Sequence, residues 1–383
     1  MVRKVKLKDV VMRVKDKIDK DTTDLEFYVG GEHIDSGEIS ITKKGRIEGS
    51  TIGPAFHMHF MPGDVLLMSR NPHLKKAGVV DFEGICSDVS YICRTKDENV
   101  LSQQYLPFIF QTDHFWQFVE ENKKGGLPFF LNWSDFEKYE FMLPDIDKQN
   151  EMANILWAAQ DTKLAYIELL KQTDELVKSR FIELFGDLKS NAKGWDIKTF
   201  DELTKLITDG EHATPRRTDK GIYLLSARNI LNHSIQLEDV DFIDQEEYDR
   251  IAKRVIPQEG DVLISCSGTV GRCCSVPADL KFQMVRSAAL LRFKEEINPI
   301  FAEYMITSDY LQEQINSSKT ASSQANLFQG KIKLLKGFVP PMDLQNEFLA
   351  FVKQVDKSKF EIKKSIENIS ELIKSLMQQD FTN

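Results

Sequence analysis

A stretch near the middle of this chain returns almost intact near its end, and that duplication constrains the fold more than any other feature. Residues 143–151 read Leu-Pro-Asp-Ile-Asp-Lys-Gln-Asn-Glu, and residues 339–347 read Val-Pro-Pro-Met-Asp-Leu-Gln-Asn-Glu. Pro144, Asp147, Gln149, Asn150 and Glu151 thus recur 196 positions later as Pro340, Asp343, Gln345, Asn346 and Glu347. Gly63-Asp64-Val65-Leu66 recurs 197 positions on as Gly260-Asp261-Val262-Leu263. Such a period is far longer than the roughly 20 to 50 residues of a solenoid repeat. The chain therefore reads as two tandem copies of one module, each a globular part followed by a helix, and a pseudo-twofold molecule is expected.

With 383 residues, either half can bury a core of its own. No apolar run approaches the roughly 18 residues of a membrane span. The basic start, Met-Val-Arg-Lys-Val-Lys-Leu-Lys-Asp, lacks the apolar core of a secretory signal, so a cytoplasmic location is expected. Cys86, Cys93, Cys266, Cys273 and Cys274 are odd in number and form no Cys-x-x-Cys pair, which points to buried free thiols. His57, His59 and His73 lack the further ligand and supporting shell of a metal site, so none is assigned.

The helices carry the clearest pattern. Alternating steps of four and three from Phe348 give Val352, Val355, Lys359, Ile362, Ile366, Ile369, Ile373 and Leu376, apolar at eight of nine positions. That is the seam of a coiled coil. The first copy gives a weaker seam through Met152, Ile155, Tyr166, Leu169 and Leu176. Two long helices with one narrow apolar seam each are expected to bury those seams against one another, antiparallel. Burying one Leu or Ile contributes roughly 1.5 to 3 kcal/mol, so a lone seam in water would be adhesive.

The globular parts read as mixed α/β with many short strands. Gly260 to Cys266 is a turn and an apolar strand, Ser267-Gly268-Thr269-Val270-Gly271-Arg272 a glycine-bounded loop, and Cys273 to Val276 a returning strand. The first copy keeps the strands and rewrites the loop as Ser69 to Lys76. One scaffold with two different loops suits recognition of two different targets. The net charge of −9 argues against nucleic acid, but the acids gather in the helices and at 236–250, while Arg70 to Lys76 and His212 to Arg217 are locally basic.

Taken in order, these pieces resemble the specificity subunit of a type I restriction-modification system. The resemblance rests on Gly260-Asp261-Val262-Leu263-Ile264-Ser265 with its glycine-bounded loop, on Val339 to Glu347, on Ser179-Arg180-Phe181-Ile182-Glu183-Leu184-Phe185-Gly186-Asp187 followed by Gly194-Trp195, and on Ser322-Ser323-Gln324-Ala325-Asn326-Leu327. In the first copy, Gly125 to Asn132 shows no counterpart of that last segment.

The resemblance implies target-recognition domains at 1–143 and 187–339 and spacer helices at 144–186 and 340–383. It implies a non-catalytic reader of double-stranded DNA, each domain taking one half of a bipartite, asymmetric site. Two modification subunits, binding S-adenosylmethionine, and restriction subunits, using ATP and Mg, are implied as partners. Expected DNA contacts are Arg70, His73, Lys75 and Lys76 in the first domain, with His212, Arg216, Arg217, Ser267, Thr269, Arg272 and Arg286 in the second. Arginine pairs with guanine edges and lysine with phosphates.

The chain itself offers no chemistry. Asn71-Pro72-His73 falls short of an adenine methyltransferase motif, the acids of Pro144 to Lys148 fit a helix start better than a nuclease core, and no phosphate-binding Gly-x-x-x-x-Gly-Lys-Ser/Thr loop occurs. No catalytic, cofactor or metal residue is assigned. Two other readings stay open: a specificity protein of a different phage-defence methyltransferase, and a coiled-coil scaffold that binds proteins.

Overall fold

A computed structural model describes residues 2–318 and 326–381. It is a mixed α/β structure dominated by two 40-residue helices, Ile146–Phe185 and Met342–Phe381. The chain divides into two compact units, and the division falls inside both helices: one unit holds residues up to Glu168 and from Ile362 on, the other Leu169–Glu361.

Each unit is built on the same strands. In the first, Val11–Val14, Ser90–Thr95, Val65–Met68 and Ala77–Val79 form a four-stranded antiparallel sheet. In the second, Thr204–Asp209, Ala288–Phe293, Val262–Ser265 and Cys273–Ser275 repeat that order. Successive side chains of a strand face opposite sides, and here both sides are covered. Val65 and Leu67 enter one core with Val11, Tyr91 and Phe110, while Leu66 enters another with Met58, Phe60 and Ile92. Val262 and Ile264 likewise pack with Phe200 and Phe301, and Leu263 with Phe282 and Leu290. A parallel pair, Phe27–Val29 with Gly84–Ser87 and Ile222–Leu225 with Phe282–Met284, recurs beside each sheet. A two-stranded ribbon, Arg3–Lys6 with Glu140–Leu143 and Asp196–Thr199 with Lys336–Val339, feeds each long helix.

The duplicated residues are the ones that lock this frame. Gly63 and Gly260 take positive φ, 89° and 81°, in the turn before the central strand, a conformation that glycine adopts without strain. Asp64 accepts the Met61 N–H at 2.8 Å and a two-pronged pair from Arg94 at 2.7 and 2.8 Å. Asp261 accepts the Gln258 N–H at 2.8 Å and a matching pair from Arg292, both at 2.7 Å. At the helix starts, Gln149 and Gln345 are fully buried. Gln149 accepts from the Ser102 N–H and donates to the carbonyls of Val100 and Pro144. Gln345 accepts from the Asn298 N–H and donates to the carbonyls of Glu296 and Pro340. Both donor sites of that amide and one of the two lone pairs of its oxygen are therefore committed in both copies.

The helix pairing is antiparallel within each unit. In the first, Leu156 and Trp157 near the start of the first helix meet Ile373, Leu376 and Met377 near the end of the second. In the second, Phe181 and Phe185 meet Phe348 at ring distances of 5.4 and 5.7 Å, Arg180 pairs with Glu347, and Lys359 with Asp174.

The seam expected for the first helix is rotated by one residue. Ile155, Leu169 and Leu176 are exposed, and Met152 and Tyr166 only half-buried, whereas Ala153, Leu156, Gln160, Val177 and Phe181 are buried. The cause is Gln149: its buried amide sets which face of the helix turns inward, and four and seven residues on lie Ala153 and Leu156. In the second helix Val352 and Val355 are buried, and Ile362, Ile366, Ile369, Ile373 and Leu376 are half-buried.

The five cysteines are free and buried. Burial pushes the thiols of Cys86 and Cys266 up to about 12. His59 sits between two carboxylates, with Nδ1 2.8 Å from Asp16 and Nε2 2.8 Å from Glu83. Burial works against its charge, but the hydrogen bonds to Asp16 and Glu83 outweigh it and raise its pKa.

Candidate nucleic-acid interface

In the second unit, backbone hydrogen bonds gather five loops at one end of the four-stranded sheet. Arg286 N–H donates to the Glu211 carbonyl at 3.0 Å, and Ala227 N–H to Ser287 Oγ at 3.0 Å. Cys266 N–H donates to the Ser287 carbonyl at 2.7 Å, and Leu327 N–H to the Cys266 carbonyl at 2.9 Å, beside a bridge between Ser267 and Asn326. Gly210 is required where the first loop begins, because a Cβ there would lie 2.4 Å from the carbonyl oxygens of Met284 and Val285.

The glycine-bounded loop is folded around one hydroxyl. Ser265 Oγ donates to the Thr269 carbonyl at 2.7 Å and accepts from the Arg272 N–H at 2.9 Å. Gly271 has φ 92° and lies against Gln312, whose amide donates to its carbonyl at 3.0 Å. The result is a rigid tip that exposes Gly268 and Thr269 and leaves Ser267 and Arg272 half-exposed.

The first unit builds the same place from different residues. Ser69 N–H donates to the Val89 carbonyl at 2.9 Å, and Leu131 N–H to the Ser69 carbonyl at 2.8 Å, beside a bridge between Arg70 and Phe130. Phe130 and Leu131 thus occupy the position of Asn326 and Leu327. Within Gly125 to Asn132, Phe130 and Leu131 therefore do have a structural counterpart, which identity could not reveal because backbone pairing is indifferent to side chains. Ser322 to Ala325 lie outside the described residues.

Electrostatics divide the expected contact residues. Arg70, Lys75, Arg272 and Arg286 have no ion pair or side-chain hydrogen bond among the described residues, and Arg70, Lys75 and Arg286 are exposed. His73 is exposed with its ring edge 5.9 Å from Phe129. Lys76 instead donates inward to the Gly31 carbonyl. Arg216 is held by Asp244 and Glu246 at 2.8 and 2.9 Å, Arg217 by Asp241 at 3.0 Å, and His212 by Asp209 at 2.6 Å. The acids around 236–250 therefore neutralise the basic loop before it. Glu246 and then Asp244 raise the Arg216 pKa further, so that charge is fixed but already compensated. Lys76, Arg216, Arg217 and His212, expected as DNA contacts, are thus engaged internally. For Arg216 and Arg217 the missing signal was spatial, since their acids lie 24 to 30 residues along the chain.

Residues 192–371 match the family described as the type I restriction modification DNA specificity domain. Among solved structures, a chain from work on complex assembly and conformational transition of the type I R-M system is 18% identical, with a TM-score of 0.57 over 99% of this chain and 97% of that one. The type I restriction-modification S subunit from M. genitalium is 12% identical, with a TM-score of 0.58 over 100% of this chain and 96% of that one. A comparison with curated proteins found no match. Residues 192–371 thus match the type I restriction modification DNA specificity domain, and the fold of the chain is similar to that of type I restriction-modification S subunits. No helix among the described residues is long and apolar enough to cross a membrane.

Proposed function

We propose that this chain reads a bipartite, asymmetric DNA site, one half with each repeated unit, and that the two long helices set the unread gap between the halves. The observation that carries this reading is the pairing of one locked frame with two different tips. The Asp–Arg pair and the buried glutamine recur in both units, while Arg70, His73 and Lys75 in one stand where Ser267, Thr269 and Arg272 stand in the other. Base-edge contacts specify and phosphate contacts position, so divergent tips on one frame yield two specificities with one mode of docking. Target-recognition domains at 1–143 and 187–339 and spacers at 144–186 and 340–383 follow.

On the same reading, two modification subunits that bind S-adenosylmethionine assemble on this chain, restriction subunits bring ATP and Mg, and the complex works in the cytoplasm. Leu169 and Leu176, 40% and 52% exposed and seven residues apart on one helix face, suit an apolar contact with a modification subunit. The test is to map methylated adenines in a cell expressing this chain with its modification subunit. Two short specified sequences separated by a fixed unspecified gap are expected. A continuous motif, or methylation unchanged from a strain without the chain, would remove the proposal.

A further inference from the structure

Leu127 is 86% exposed, more than any other large apolar side chain among the described residues. A single exposed leucine is ordinary. What sets this one apart is the stiffness of the tip beneath it. Lys124 and Phe130 exchange two backbone hydrogen bonds, of 2.8 and 3.0 Å, which close the loop Gly125–Phe129. The Asn71 N–H donates to the Phe129 carbonyl at 2.8 Å, and Phe130 also bridges to Arg70, so the loop is strapped to the one that bears the first unit's free cations. The Phe129 ring is gripped by the Lys123 ammonium at 4.5 Å and by the edge of His73.

The shape of the tip decides what it fits. A protein partner needs an apolar patch, of a few hundred Å² at least. Here Leu127 projects furthest, next to Gly126, around which there is open space, while Phe130 and Leu74 on the two strapped loops are 40% and 43% exposed, about half as much. Arg70 and Lys75, both exposed and without ion pairs among the described residues, lie on the loop strapped to this one. A narrow apolar point beside uncompensated cations matches the gap between stacked base pairs under a phosphate backbone. Leucine is among the side chains that proteins insert at such steps.

We propose that Leu127 enters one base step beside the half-site read by the first unit, unstacking and kinking the duplex there. The inference rests on the reading of this chain as a DNA reader and adds a contribution to specificity: pyrimidine–purine steps unstack most readily, so the bases at that step are selected without a hydrogen bond to them.

The test uses the chain with its modification subunit, on duplexes carrying the mapped motif, with 2-aminopurine placed at successive positions through the first half-site and its flanks. Wild-type binding is expected to brighten the probe several-fold at one step distinct from the methylated adenine. Leu127→Met should keep that signal. Leu127→Ala should abolish it, weaken binding by roughly tenfold and leave the salt dependence unchanged, since no phosphate contact is lost. A complex that binds without brightening any such step, or Leu127→Ala brightening as the wild type does, overturns the inference while leaving DNA reading intact. A wild-type complex that does not prefer its own motif to a scrambled duplex overturns the reading itself, and this inference with it.

Discussion

Gln149 and Gln345 tie three strands of chain together at the point where each ribbon becomes a helix, using atoms that have no access to water. A buried polar group left without a partner costs about 1 to 3 kcal/mol. Gln149→Leu strands the Ser102 N–H and the carbonyls of Val100 and Pro144 at once, so a loss of about 3 kcal/mol or more is expected in urea unfolding. Asn150→Ala, at the exposed neighbour within the same repeated motif, should stay within about 0.5 kcal/mol. Equal effects would show that the motif recurs for some reason other than this knot. The loop cations make a second contrast. Arg272→Ala and Arg286→Ala should each weaken DNA binding and lower the salt slope by about one, the signature of a lost phosphate contact or its equivalent. Arg216→Ala should change binding little, because Asp244 and Glu246 already occupy that guanidinium. A salt titration of the assembled complex separates the two outcomes.

The helices show what periodicity can and cannot decide. Their length and start were legible in the repeated Pro-x-x-Asp-x-Gln-Asn-Glu pattern and the apolar steps after it. The rotation of the first was not, because counting apolar residues favours Ile155, Leu169 and Leu176, while the side chain that turns the helix inward is a polar glutamine. Leu156, fully buried, and Leu176, 52% exposed, test this directly. Leu156→Ala should cost about 2 to 5 kcal/mol. Leu176→Ser should leave the unfolding midpoint of the isolated chain almost unmoved, yet reduce assembly with the modification subunit as read by native mass spectrometry. A large loss of stability at Leu176 would restore the rotation that the apolar pattern suggests.

Across the whole molecule, duplication was legible because the residues that lock the frame are constrained in kind: a glycine with positive φ, a buried aspartate with its arginine, a buried amide. The correspondence of Phe130–Leu131 with Asn326–Leu327 was hidden, since only backbone atoms make it. The compensation of Arg216 and Arg217 was hidden too, since it depends on acids brought near by folding. On the proposed function, the duplication makes a pair of readers whose spacing the helices set. The most direct test inserts seven residues into each helix, between Glu168 and Leu169 and between Glu361 and Ile362, which preserves the phase of both seams because a seam repeats every seven residues. Each helix lengthens by about 10 Å at about 1.5 Å per residue. With about 3.4 Å per base pair along a DNA strand, the gap should grow by roughly three base pairs. Methylome sequencing of the double-insertion strain should therefore show both half-sites unchanged and a longer gap between them. Unchanged halves with an unchanged gap would contradict the account.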